Sequence, residues 1–200
     1  MKKIILLSGG LDSATLLAHQ ADENTLALFF NYNQKALSSE IKAVNKIAQT
    51  YNVPILYRDI TEAFKESACT LLKTSSEFPG HGSTELEFRN GVFLSHAISL
   101  ALQLFPAEEV EIMLGLIKLH VSYSDCSFKF LDLYNNIAQL CSNNKITISA
   151  PFIEKGKDEV LAIAKQTGLN IQETWSCYTE AEKPCGMCDA CIDRITLGVL

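Results

Sequence analysis

Ser8-Gly9-Gly10-Leu11-Asp12-Ser13 follows the apolar run Lys3-Ile4-Ile5-Leu6-Leu7 and precedes Ala14-Thr15-Leu16-Leu17-Ala18, a stretch of helical character. A strand that stops at two glycines and restarts as a helix leaves unpaired backbone N–H groups at the turn, with the positive end of the helix dipole behind them. Such a turn is a seat for an anion. Gly9 and Gly10 let the backbone approach a phosphate without an intervening Cβ, and Ser8 and Ser13 add hydroxyl donors. Asp12 repels a polyphosphate unless a divalent cation such as Mg²⁺ lies between them. No lysine stands where a Walker-type phosphate loop carries one. The alternative is a plain strand-turn-helix corner in which Asp12 or Ser13 caps the helix, typically worth about 1 kcal/mol.

Outward from this turn, composition narrows the class. The 200 residues are 48 % hydrophobic and 20 % charged, which fits one sizeable core with a small appendage and no long disordered segment. A net charge of −6 argues against a large nucleic-acid face, which shows a basic footprint. The apolar start is too short for a signal-peptide core, and no stretch is long enough to span a bilayer, so the expected location is the cytoplasm. Seven cysteines, four of them crowded between 177 and 191, suit a reducing compartment and a metal better than a disulfide framework.

Apolar runs predict strands at 3–7, 25–30, 54–60, 110–117 and 146–150. Between them the spacing predicts helices: one capped by Ser38 with Ile41, Val44, Ala48 and Tyr51 on one side, then 63–72, 92–105, 128–141 and 157–167, the last closed by Gly168. Strands separated by helices mean an α/β fold with a doubly wound parallel sheet. Ligands of such sheets bind beyond the carboxyl ends of the strands, where Asn31-Tyr32-Asn33-Gln34-Lys35 stands; the alternative is a plain polar connecting loop. His81, in a turn-rich segment at 78–84, reads either as a base or as a solvated loop residue. Arg89, in Arg89-Asn90-Gly91, can place a guanidinium on a phosphate or carboxylate, or merely satisfy loop carbonyls. The 120–127 loop offers Asp125 or Ser127 as a cap for the helix after it, and Cys126 and Cys141 read as small buried apolar residues. Lys157 at a helix start opposes the dipole unless an anion sits there. That makes it a candidate phosphate ligand, with a surface lysine as the plain alternative.

Cys177-x7-Cys185-x2-Cys188-x2-Cys191 offers four thiolates, enough for a closed tetrahedral Zn²⁺ site with no position left for water. Closed coordination means structure, and binding on the order of 10 kcal/mol would fold a tail too short to hold itself together. A redox CxxC pair and an iron–sulfur cluster are the competing readings; four ligands at this spacing favour zinc. The expected organisation is a nucleotide-binding α/β domain over 1–172 and a zinc-binding tail over 173–200 packed on it.

The glycine turn resembles the SGGxDS loop of the PP-loop ATP pyrophosphatases. With Thr174-Trp175-Ser176-Cys177-Tyr178 and Pro184-Cys185-Gly186-x-Cys188-x-x-Cys191-Ile192-Asp193-Arg194, the whole chain closely resembles the 7-cyano-7-deazaguanine synthase (QueC) family. The resemblance implies an adenine nucleotide alpha hydrolase-like fold. It also implies an ATP-dependent carbon–nitrogen ligase that converts 7-carboxy-7-deazaguanine and ammonia to a nitrile, a queuosine precursor, through an adenylated carboxylate and an amide. ATP would be held by Ser8, Gly9, Gly10, Leu11, Asp12 and Ser13, with Asp12 acting through Mg²⁺ and with Lys157 and Arg89 assisting catalysis. Tyr32, Gln34, Arg89 and Asn90 become substrate candidates; Tyr32, Phe88 and Trp175 read equally as stacking partners for the purine or as core packing. Tyr32-Asn33-Gln34-Lys35 is similar to the family's YGQR with Gly and Arg replaced, and Glu40 stands near its acidic position. The departure is Leu116-Ile117-Lys118-Leu119-His120-Val121-Ser122-Tyr123, where the family carries polar and acidic residues. That departure motivates a rival in which the adenylated acid passes to another acceptor. Further rivals are a tRNA-modifying PP-loop enzyme and a non-enzymatic zinc and nucleotide module; a homodimer is left open.

Overall fold

A computed structural model describes residues 1–79, 82–118, 123–143 and 145–200. In chain order the elements are β1 (Lys2–Leu6), α1 (Leu11–Gln20), β2 (Thr25–Asn31), α2 (Leu37–Thr50), β3 (Ile55–Asp59), α3 (Arg89–Leu104), β4 (Val110–Leu114), α4 (Phe128–Ser142), β5 (Ile146–Ser149), α5 (Lys157–Gln166) and α6 (Asp189–Thr196). The five strands are parallel in the order β3-β2-β1-β4-β5. Ile4 of β1 sits in register with Leu26 on one side and Ile112 on the other.

Alternation along the strands builds two cores. Ile4, Leu6, Leu28, Phe30, Ile112 and Leu114 pack with Leu94, Ala97 and Ala101 of α3 and Leu131 and Ala138 of α4. Ile5, Leu7, Ala27, Phe29 and Met113 pack with Leu17 of α1, Val44 and Ile47 of α2, and Val160 and Ala164 of α5. Central parallel strands are covered on both faces, which is why their sequence is continuously apolar. Each buried Leu, Ile or Phe contributes about 1.5–3 kcal/mol. No helix of the described residues is long and apolar enough to cross a membrane.

Several local expectations are corrected. The helix expected at 63–72 is only a 3-10 turn over Thr61–Phe64. The chain after it runs alongside the Gln34 loop, with Lys35 N donating to Leu71 O at 2.8 Å and Lys73 N to Asn33 O at 2.9 Å. Ser38 is not a cap, since α2 begins at Leu37 after Ala36; its side chain meets Glu180 instead. The helix expected from 92 begins at Arg89, because Asp125 Oδ2 accepts from Asn90 N at 2.9 Å. Asp125 therefore serves α3, while Ser127 caps α4, its hydroxyl accepting from Phe130 N at 3.2 Å. Gly168 follows α5 with φ +71°, in the left-handed region expected of a helix end. Cys141 is exposed, not buried. His81 and residues 119–122 of the divergent loop lie outside the described residues.

Candidate active site

The carboxyl ends of β1, β2 and β4 open onto a cavity of about 600 Å³, at the place where strand order reverses and doubly wound sheets bind ligands. Its floor is the glycine turn. Gly10 precedes α1 with no side-chain cap, so neither Asp12 nor Ser13 caps the helix; Gly10 N donates to Ser8 Oγ at 3.4 Å, and among the described residues no side chain accepts from the N–H groups of Leu11, Asp12 and Ser13. Ser13 Oγ instead shapes the turn: it accepts from Ser8 N at 3.1 Å, lies 3.0 Å from Ser8 Oγ and donates to Gly10 O at 3.2 Å. The two glycines differ in what they do. Gly10 lines the cavity, whereas Gly9, at φ +84°, faces α2, and a Cβ there would stand 3.1 Å from Glu40 O. Gly115, just after β4, is the closer fit: a Cβ on it would meet Ser13 Cα and Ser13 N at 2.9 Å.

Asp12 lines this floor. Burial pushes its carboxyl up to about 6, the Lys157 ammonium opposing the shift and Asp193 adding to it. A carboxylate so placed is relieved by a divalent cation, and the free N–H groups beside it suit the phosphates such a cation would accompany. Lys157 opens α5 and pairs with Asp193 of α6. The carboxylate partner resolves the apparent conflict with the helix dipole, and both groups line the cavity.

The β2 side carries the other candidates. Gln34 is buried, and its amide is fully engaged: Oε1 accepts from Tyr32 N at 2.9 Å, and Nε2 donates to Phe30 O at 3.1 Å and to Glu40 Oε2 at 2.8 Å. Asn90 is likewise occupied, its Nδ2 donating to Asp125 O at 3.2 Å and to Cys126 Sγ at 3.1 Å. Both line the cavity as braces for their neighbours. Arg89 lies against the Tyr32 hydroxyl and near Asp125; burial works against its charge, yet these partners hold its proton more tightly than usual. Burial also pushes the Tyr32 hydroxyl well up. The Cys126 thiol is pushed up to about 12 by burial and by the Asp125 carboxylate. Tyr32 and Trp175 line the cavity; Phe88 is more than half exposed and packs outward on Phe130.

Cys177, Cys185, Cys188 and Cys191 place their sulfurs within 4.8 Å of one another, against an edge of about 3.8 Å for a tetrahedron with Zn–S bonds near 2.3 Å. The Cys185 and Cys191 sulfurs are 3.9 Å apart, far beyond a disulfide bond. Backbone N–H groups point at the sulfurs, Cys185 N to Cys177 Sγ at 3.3 Å and Cys188 N to Cys185 Sγ at 3.4 Å. Hydrogen bonds from Cys188 and from the Cys185 N–H hold the Cys177 thiol well below the usual thiol range. Four clustered, mostly buried sulfurs with N–H donors on them are compatible with zinc.

This tail is also a wall of the site. Trp175 N donates to Gly9 O at 2.8 Å, and Ser39 Oγ of α2 donates to Ala181 O at 3.3 Å. Tyr178, Asp189, Asp193 and Arg194 reach the cavity. Arg194 is buried and donates to Thr174 Oγ1 at 2.7 Å, Ile171 O at 3.1 Å and Val199 O at 3.1 Å. Asp193, Asp125 and the clamp on Glu40 were not read as site features from the sequence. Asp193 does stand in the Cys191-Ile192-Asp193-Arg194 segment that carries the family resemblance.

Residues 2–196 match the model described as Queuosine biosynthesis protein QueC. A 7-cyano-7-deazaguanine synthase of Marinomonas sp. (strain MWYL1) is 33 % identical over 97 % of this chain and 91 % of its own. That of Microcystis aeruginosa (strain NIES-843 / IAM M-2473) is 35 % identical over 95 % of this chain and 87 % of its own. The structure of NMN synthetase from Francisella tularensis covers 100 % of this chain and 78 % of its own at TM-score 0.56 and 16 % identity, a likeness of fold alone. The chain therefore belongs to the QueC family of queuosine biosynthesis proteins.

Proposed function

We propose that the chain is a cytoplasmic 7-cyano-7-deazaguanine synthase, which uses ATP and ammonia to turn the carboxylate of 7-carboxy-7-deazaguanine into a nitrile. The observation that carries this reading is the glycine turn itself: an uncapped helix N-terminus with buried Asp12 beside it, opening into a cavity of about 600 Å³. That volume lies in the range of small-molecule sites.

In this reading Ser8 to Ser13 hold the phosphates of ATP through main-chain N–H groups, and Asp12 would hold Mg²⁺, which supplies charge neutralisation between carboxylate and phosphate. Arg89 and Lys157 border the same space and draw off charge as the substrate carboxylate attacks the α-phosphate and pyrophosphate leaves. Ammonia then displaces AMP to give the amide, and a second activation of the amide oxygen gives the nitrile. Tyr32 supplies an aromatic face for the purine, and Gln34 and Asn90 act as braces. The four cysteines would hold Zn²⁺, whose closed coordination supplies folding energy to residues 173–200 as a module on the 1–172 domain. ATP–pyrophosphate exchange that depends on 7-carboxy-7-deazaguanine tests the reading; exchange without the acid, or none at all, contradicts it.

A second reading, transfer of the adenylated acid to another acceptor, draws on Leu116 and Tyr123 at the cavity rim. Adenylate formed without amide or nitrile in the presence of ammonium would select it.

A further inference from the structure

We propose that Glu40 is the base that takes a proton from the nitrogen nucleophile in the amide-forming step; the assignment rests on the function proposed above. Glu40 lies in the first turn of α2, and its main-chain oxygen sits hard against Gly9 of the phosphate turn. Its Oε2 accepts from Gln34 Nε2 at 2.8 Å, and Gln34 spends its remaining amide groups on Phe30 O and Tyr32 N. A buried amide whose oxygen and both N–H groups are engaged is held in one orientation, and its N–H fixes where the carboxylate that accepts it points.

Of the other carboxylates that line the cavity, Glu85 and Asp189 are exposed to solvent, and the rest are engaged. Asp193 is paired with Lys157, and Asp125 accepts from Asn90 N and from the Cys126 thiol. Asp12 belongs to the phosphate turn. Glu40 forms no ion pair among the described residues, and it lines the cavity. The titratable groups facing it are Arg89 of α3 and Tyr32 after β2. Burial pushes its carboxyl up to about 7, where a group gives and takes protons most effectively near neutral pH.

The step balances as follows. One N–H proton of ammonium passes to the Glu40 carboxylate, leaving ammonia. The nitrogen lone pair attacks the acyl carbon, the bond from that carbon to the AMP oxygen breaks, and AMP leaves with the bonding pair. The new amide sheds its extra proton to bulk water, and Glu40 then does the same. Hydroxylamine, already uncharged at neutral pH, needs no such base.

The test compares wild type, Glu40→Gln and Glu40→Asp as full-length, zinc-replete proteins, with Gln chosen because it keeps an acceptor for Gln34. Three readouts are taken: acid-dependent ATP–pyrophosphate exchange, product from ammonium, and hydroxamate from hydroxylamine. The expected result is that Glu40→Gln retains exchange and hydroxamate formation but loses ammonium-derived product by about 10²–10⁴-fold, with partial recovery in Glu40→Asp. Equal loss of the ammonium and hydroxylamine products overturns the assignment. So does a raised KM for the acid with an unchanged ammonium step, which would give Glu40 to purine recognition. Wild type without acid-dependent exchange overturns the functional reading and Glu40's role with it; normal ammonium turnover in Glu40→Gln overturns Glu40's role alone.

Discussion

Replacing Gly115 by alanine probes how tightly β4 is fitted to the phosphate turn. The added Cβ would lie 2.9 Å from Ser13 Cα and N and 3.1 Å from the Asp12 carbonyl carbon. Ordinary carbon contacts run at 3.5–4.0 Å, so α1 and the turn must retreat by roughly 0.6–1.1 Å. All three obstacles are backbone, so no side chain can rotate out of the way. Overpacking of this kind costs about 1–3 kcal/mol, a fall in Tm of roughly 2–12 °C at this chain length. A displacement near 1 Å at a reacting centre costs on the order of 10² in rate. Gly168→Ala is the counterpart: nothing lies within 4 Å of its Cβ, but φ is +71°. It should lower Tm through backbone strain of about 1 kcal/mol and leave ATP–pyrophosphate exchange untouched. Calorimetry and exchange kinetics on both variants decide the matter. Full exchange activity in Gly115→Ala would refute the contention that Gly115 sets the position of the turn.

Asp12→Asn should lower exchange by about 10²–10³-fold with an unchanged far-ultraviolet spectrum; retained exchange would remove Asp12 from phosphate handling. Elemental analysis should find zinc equimolar with chain. Cys188→Ser should lose the metal, on the order of 10 kcal/mol of binding, and with it exchange activity, because α6 brings Asp193 to Lys157; a metal-free variant with full activity would contradict this. Glu40 also predicts a pH dependence of stability. Its folded value of about 7 exceeds its ordinary 4.5, so the native state binds the proton more tightly and its contribution declines as pH rises from 4.5 through 7. The difference is on the order of 3 kcal/mol. Urea melts should therefore show Glu40→Gln gaining stability over wild type between about pH 5 and about pH 8, and a constant difference would refute it.

What could be read along the chain was what is local. The glycine turn, the apolar strands and the cysteine spacing each carry their chemistry within a few residues, and each is found where those residues predict. Asp125 shows the limit: its neighbour in sequence is α4, but its carboxylate caps α3, a choice made by the packing of the two helices. Ser38 was drawn to Glu180 by a tail that lies far along the chain. Phe64, Cys69, Leu71 and Leu72 are buried without forming a helix, because the main chain that carries them bonds to the Gln34 loop instead, a tertiary contact that overrides local preference. For the same reason the cavity wall built by Asp189, Asp193 and Arg194 was invisible until the tail was seen folded over Gly9.

The most direct measurement uses 7-carboxy-7-deazaguanine with both carboxylate oxygens labelled with ¹⁸O, incubated with the protein, ATP, magnesium and ammonium, and follows the label by mass spectrometry. If the acid and then the amide are activated at this phosphate turn, the product is the unlabelled nitrile and each AMP released carries one ¹⁸O. Nitrile absent, or label found in pyrophosphate or retained in the organic product with AMP unlabelled, would contradict the account.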